Sequence, residues 1–515
     1  MKRLLILPVM AALLVSCAKK DKQEEQTDKL LSQLTLKEKI SMIHGNTYFT
    51  TPPVERLGIP GFTLSDGPAG IREENNPSDW GSAKWKNDST AYFPSLTALA
   101  STWNPVLATE FGKAYGEEAV IRNKFITLAP GINIHRTPLN GRNWEYLSED
   151  PYLVTQFAPN IIKAVQKEGM ASCVKHYILN NQEKDRNSIN VEAGERALRE
   201  IYYPGFEAAV KEGGALAVMG AYNKFRGDFC CENSYLLHDI LKDEWGFKGV
   251  VISDWDAVHS TTGAAENGCD IEMGTNKPFD QYYMAQPLLD SIKAGKIDSS
   301  VVDDKVRRIL YVMSELNMFN RPEYDTTGMA AKLATPERRR VSEKIAEEAI
   351  VLLKNQSNTL PLDLTHTKKI AVIGDNATRK HAHGGGSTII KAKYEITPLE
   401  GIKNLVGDKA EIVYAPGYKY VKGKNNRYDP SLDQVDQKWL DEAKKAASGA
   451  DVVLFIGGLN HDFGLDSEGG DKAGLGLPYK QDEVISEIMN VNPNTVVVLI
   501  TGGPVVPGDW LSSAP

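Results

Sequence analysis

An aspartate closes an apolar run in GFKGVVISDWDAV, where Asp254 stands between Ser253 and Trp255. A carboxylate at a strand end beside an indole is placed to meet a sugar. The apolar face of the ring stacks on the aromatic while the anomeric carbon turns to the carboxylate. The competing use is structural, because Asp also caps helices. A second polar strand end, CVKHYILNNQEKDR, brings Lys175 and His176 together ahead of Asn181, Glu183 and Arg186. Successive strand residues point to opposite faces, so both reach one ligand only where the strand ends and the backbone turns. Otherwise Lys175 is a surface cation beside a buried histidine. LSDGPAGIR supplies Asp66 and Arg72, NIHRTPLNGRNWEYLSEDPYL supplies Arg136, Arg142 and Glu149, and MGAYNKFRG supplies Tyr222. Carboxylates and guanidiniums beside Gly and Pro turns orient sugar hydroxyls through charge-assisted hydrogen bonds. The same residue types also build turns and surface ion pairs.

The elements that must position these groups follow a β/α rhythm over residues 28–325, with FITLAPGINI, ASCVKHYIL, ALAVMGAYN and KGVVISDWDAV as strands. Each is apolar and then turns polar, the arrangement of a parallel (β/α)8-type TIM barrel, whose active site lies at the carboxyl ends of its strands. The pattern loosens across a linker at 326–345. Over 346–515 the runs KKIAVIGDNA, ADVVLFIGGLN and NTVVVLITGGP read as buried parallel strands of a layered α/β sandwich domain. The chain stops at LSSAP, so three strands predict an incomplete sheet, through truncation or completion elsewhere.

Together these motifs resemble glycoside hydrolase family 3, in its β-glucosidase-type branch. LSDGPAGIR, NIHRTPLNGRNWEYLSEDP, VKHY, MGAYN and VISDW stand in the family's order, and VLLKNQSNTLPL, GGGS and GLNHDFGLDSEGGDKAGLGLPYKQDEVI extend the likeness through the second domain. The resemblance implies that Asp254 is the nucleophile and that Asp66, Arg72, Arg136, Lys175, His176, Arg186, Tyr222 and Trp255 hold the non-reducing sugar. It assigns the general acid/base to Glu468 of DSEGGDK, where Lys472 replaces the usual arginine and Asp466 is a neighbouring carboxylate. Retaining hydrolysis needs two carboxyls about 5–5.5 Å apart, one ionised and one protonated. Lys175, Arg136 and hydroxyl donors predict an anionic Asp254, and a closing, partly desolvated loop predicts a protonated Glu468. The scheme requires no cofactor and no metal.

The expected activity is therefore exo-hydrolysis of terminal β-D-glucosyl residues. The alternatives are a β-xylosidase, a broad exo-glucanase, or an inactive sugar-binding lipoprotein. The aspartate of LSDGPAGIR favours glucose-type sugars, and KHYILNNQE lacks the KHFPGHG-like loop of the N-acetylglucosaminidase branch.

The amino terminus MKRLLILPVMAALLVSC pairs Lys2 and Arg3 with an apolar stretch too short for a stable span, which reads as a signal peptide over 1–17. Leu14 to Cys17 resemble a bacterial lipobox with Cys17 as the lipidated residue. An ordinary signal with an incidental cysteine is the alternative. Residues 18–27, charged and without apolar anchors, read as a tether. These features predict an exported lipoprotein, periplasmic or associated with the outer membrane through its lipid. At 515 residues, 42% hydrophobic and 24% charged, the chain is globular with room for two domains, and its formal charge of −8 argues against nucleic acid as a partner. A homo-oligomer is compatible with the sequence. Cys173, Cys230, Cys231 and Cys269 leave disulfide pairing open, and no spacing suggests a metal site.

Overall fold

The computed structural model describes residues 24–322, 324–356 and 358–515. Cys17, the signal segment and the first part of the expected tether lie outside the described residues. Residues 24–33 are helical, so the last part of that tether already belongs to ordered structure.

The first half of the chain builds a curled, all-parallel sheet from β1 (Leu64–Ser65), β2 (Ile126–Thr127), β3 (Ala171–Tyr177), β4 (Ala217–Gly220) and β5 (Val250–Ser253), in chain order. Isolated bridges continue the curl, from Ile252 to Ile271 and from Glu272 to His44, giving a barrel-like wall with fewer regular staves than eight. Two of the strands are only two residues long, because proline and glycine in LAPG and polar residues in SDGP break the ladder where the chain turns toward ligand. Side chains alternate between two apolar layers. Cys173, Met219 and Ile252 face one, while Val174, Val218 and Val251 face the other.

Around this wall, α1 (Pro105–Ile121) packs along α2 (Pro151–Lys167). The approach is close enough that a Cβ at Gly112 would lie 2.6 Å from the Ile161 carbonyl oxygen. Further on, α3 (Pro336–Ala349) occupies the second half of the expected linker and docks on α1, with Lys344 pairing to Glu110 at 3.0 Å and Arg338 to Glu117 at 3.0 Å.

The second half is a layered α/β unit. Four parallel strands, β6 (Lys369–Ile373), β7 (Glu411–Ala415), β8 (Val452–Gly458) and β9 (Thr495–Ile500), are ordered β7-β6-β8-β9. Three of these match the expected runs. The fourth, β7, was not anticipated because it is a half-exposed edge strand without a long apolar run. Ala371, Ile373, Val453 and Phe455 face α4 (Gln437–Ser448) and α5 (Gln481–Val491), and Ile370, Val372 and Val452 face the helix Pro398–Val406. Among the described residues no further strand covers the β9 edge. The four cysteines Cys173, Cys230, Cys231 and Cys269 are buried and free.

Candidate active site

A cavity of about 390 Å³ opens at the carboxyl ends of β1 to β5 and is roofed by two loops of the second half. Its floor follows the strand ends in order, since Asp66 follows β1, Leu128 follows β2, Lys175 and His176 end β3, Tyr222 follows β4 and Asp254 follows β5. Arg72, Arg186 and Trp255 complete the predicted set inside it, and Glu468 enters from the roof. Asp254 does not cap the next helix. Ser260 does that by accepting from Gly263 N, which leaves the Asp254 carboxyl facing the cavity. Its Oδ1 accepts from Trp255 N at 2.8 Å, and His176 Nε2 stands 3.6 Å from Oδ2.

Lys175 and His176 both reach this space where the ladder of β3 with β4 loses register between Val174 and Tyr177. Both are buried, so the surface-cation reading fails. The Lys175 ammonium sits 3.4 Å from Asp66 and 3.3 Å from Glu145. Burial favours its neutral amine, but Glu145 and Asp66 outweigh this and hold its pKa above the ordinary value. His176 goes the other way, because burial, reinforced by Arg142 and Lys175, keeps the imidazole neutral. Asn133 fixes its backbone by accepting from His176 N at 2.7 Å and donating to His176 O at 2.9 Å.

One predicted residue is misplaced. Arg136 is exposed and lines no part of the cavity; Arg142 takes the position the sequence reading gave it. The turn Asn143–Glu145 explains the exchange, since it sets Glu145 three residues on to receive Arg142 in a bidentate pair at 2.6 and 2.7 Å. In RNWE the i,i+3 Arg–Glu spacing was the available signal. Trp80 was also missed. Its indole borders the cavity, with the Arg72 guanidinium 5.2 Å from the ring centre.

The acid/base candidate is held by both halves of the chain. Glu468 Oε1 lies 2.8 Å from Arg186 Nη1 and 3.6 Å from Arg142 Nη1, and Oε2 accepts from Ser387 N at 2.8 Å. The GGGS cluster permits that last contact. Gly386 has φ +97°, and a Cβ there would fall 2.5 Å from the Glu468 Cβ. Glu183 bridges Arg186 at 2.7 Å and Gly469 N at 2.8 Å. Asp471 accepts from Gly141 N, Glu183 N and Lys184 N, and Lys472 N donates to Leu139 O. Asp466, the rival carboxylate, lies outside the cavity, where it accepts from Gly502 N at 2.7 Å. Lys472 points the same way, its Nζ 3.3 Å from Pro504 O.

The electrostatics act on the two carboxyls in opposite directions, and for Glu468 the direction is the reverse of the expected one. Burial pushes Asp254 up to about 6, against the pull of Arg186 and Arg142 and with the push of Glu468. Burial also acts on Glu468, yet Arg142 and Arg186 overcome it and hold that carboxyl well below the usual range. The two shifts run in opposite directions because the two guanidiniums lie against Glu468 rather than against the nucleophile candidate.

Residues 80–312 match the Glycosyl hydrolase family 3 N-terminal domain and residues 350–515 its C-terminal domain. The chain is 43% identical to a β-glucosidase of Bacteroides ovatus over 96% of its own length and 66% of that protein's. It is 33% identical to an exo-α-(1→6)-L-arabinopyranosidase of Bifidobacterium breve, across 95% of this chain and 62% of the other. It thus spans less than two thirds of the length of these relatives. The structure of β-glucosidase 3B from Thermotoga neapolitana with glucose superposes with a TM-score of 0.81 at 32% identity, covering 95% of this chain and 70% of that one.

Proposed function

This chain belongs to glycosyl hydrolase family 3, and on that premise we propose that it is an exo-acting, retaining β-glucosidase. The observation that carries this reading is the meeting of Asp254 and Glu468 in one cavity, from separate halves of the chain. Asp254 attacks the anomeric carbon as the bond to the leaving oxygen breaks, and Glu468 delivers its proton to that oxygen. Water then attacks the same carbon, Glu468 takes a proton from it, and the bond to Asp254 breaks. Asp66, Arg72, Lys175 and His176 line the deep end and hold the sugar's hydroxyls, while Trp255 offers its face to the ring. Arg142 joins them in place of Arg136.

The first step needs a proton on Glu468, and Arg142 and Arg186 hold its carboxyl below the usual range, so loosening of those pairs in the substrate complex favours the acid form.

The experiment is incubation with a 2-deoxy-2-fluoro glucoside, followed by peptide mapping and a panel of aryl glycosides. An adduct on Asp254 and preference for the β-glucoside are expected; binding without any adduct would leave a sugar-binding protein instead. The arabinopyranosidase relative supports a second substrate reading, so the panel includes α-L-arabinopyranoside beside β-xyloside. We also propose export as a lipoprotein anchored through Cys17, supported by the apolar run that this cysteine closes. Loss of membrane association in Cys17→Ala is the corresponding test.

A further inference from the structure

The loop over residues 384–390, in the chain after β6, touches both ends of the site. It holds Glu468 at two points, since Glu468 N donates to Gly385 O at 3.1 Å and Glu468 Oε2 accepts from Ser387 N at 2.8 Å. The carbonyl of the same Ser387 accepts from Arg72 Nη1 at 2.9 Å. A single residue therefore stands between a guanidinium that lines the deep end and the carboxyl of the acid/base candidate. The Arg72 guanidinium lies 5.2 Å from the Trp80 ring centre and 5.9 Å from that of Phe49, faces that steer it without accepting a hydrogen bond in the plane of its fork. Ser387 O is the acceptor that fixes its tip.

Resting on the glycosidase reading above, we propose that Arg72 and Ser387 act as positioning residues for Glu468, so that the grip on the first sugar and the aim of the proton donor form one mechanical unit. Packing leaves this connection little slack. Ile390, buried in the same loop, seats on the glycines of LSDGPAGIR, where a Cβ at Gly67 would lie 2.6 Å from Ile390 Cδ1 and one at Gly70 would lie 3.2 Å from Ile390 Cγ2. Just beyond, Thr90 N donates to Lys391 O at 3.1 Å, Lys393 N donates to Thr90 O at 2.9 Å, and Lys391 Nζ pairs with Asp88 at 2.7 Å. The loop is thus clamped to the first half of the chain on one side and holds Glu468 on the other. Against burial, Ser387 joins Arg142 and Arg186 in keeping the Glu468 carboxyl low. A donor displaced by about 1 Å loses much of its effect on the departing oxygen.

The test uses two substrates that place the same glucosyl group in the deep end. A β-linked glucose disaccharide needs a proton on its leaving oxygen, and a dinitrophenyl β-glucoside does not. An Arg72 that held sugar hydroxyls and nothing more would, once replaced, slow both substrates equally. In Arg72→Met, which cannot donate, and Arg72→Gln, which is too short to reach the Ser387 carbonyl, the ratio of kcat/KM for the disaccharide to that for the glucoside instead falls about fivefold to tenfold, the scale of one lost hydrogen bond. Arg72→Lys, which keeps a donor at similar reach, retains most of the ratio. In a Glu468→Gln background the effect of Arg72→Met on the ratio disappears, because both residues act through one step. A ratio at the wild-type value in either folded variant, with folding checked by melting temperature, overturns the link, and so does a fall that is equally large in the Glu468→Gln background. Wild-type chain inactive on both substrates overturns the glycosidase reading first, and that result is distinct from an active enzyme whose ratio does not move.

Discussion

Asp254 and Glu468 meet in one cavity but are held there by opposite means. Asp254 follows a fully buried strand flanked by the apolar layers of the first domain, so the packing of its own domain places it. Glu468 rides on a loop held to the first half by hydrogen bonds, from Gly469 N to Glu183 and from the amides of residues 141, 183 and 184 to Asp471, and to its own half at Ser387 N. A residue set by packing is hard to displace and easy to read from an apolar run. One set by cross-chain amides depends on groups that every residue type carries.

The largest way to break this symmetry of roles is Asp254→Asn. It should lower kcat about ten-thousand-fold or more for every leaving group, in steady-state assays, because the covalent step itself is lost. Glu468→Gln separates the partners. An oligosaccharide should lose about a hundredfold to ten-thousandfold in kcat/KM, while a dinitrophenyl glucoside, which departs without a proton, loses far less. Equal losses on both substrates would remove Glu468 from the acid role. Asp471→Ala tests the loop's anchorage. With the carboxyl gone from three backbone amides, kcat on an oligosaccharide should drop about tenfold to a hundredfold, with little change for the activated substrate.

The smallest effect is on pH. For an activated glucoside, kcat/KM should fall as pH drops through about 6, where Asp254 takes its proton. For an oligosaccharide the pair must still hold one proton, so the rate instead declines as pH rises past that point. Glu468→Gln removes a negative neighbour, which lowers the Asp254 pKa and moves the acid limb of the activated substrate downward. Profiles of both substrates on both proteins check all three signs.

What the sequence disclosed follows the same division. The strand ends bearing Asp66, Lys175, His176, Tyr222 and Asp254 were legible because apolar runs turn polar there, and motif order supplied Glu468. Arg136 and Arg142 were indistinguishable by type, since only the turn that delivers Glu145 buries one of them. β7 escaped notice because it is a short edge strand without a long apolar run, buried only at its last residue. The direction of the Glu468 shift was not legible, because it depends on where two guanidiniums settle, and that is a property of tertiary contact. The grip on the Glu468 loop was not legible at all, being made on the partner side by backbone N–H groups of residues 141, 183 and 184.

Anchoring the proposed proton donor across two halves of the chain has a consequence for how such a protein fails on warming. Those few amide contacts should loosen before the strand that precedes Asp254 unfolds. Cleavage of natural saccharides then fades while a chromogenic glycoside is still consumed, so a colour assay overstates the temperature to which the protein keeps its working state.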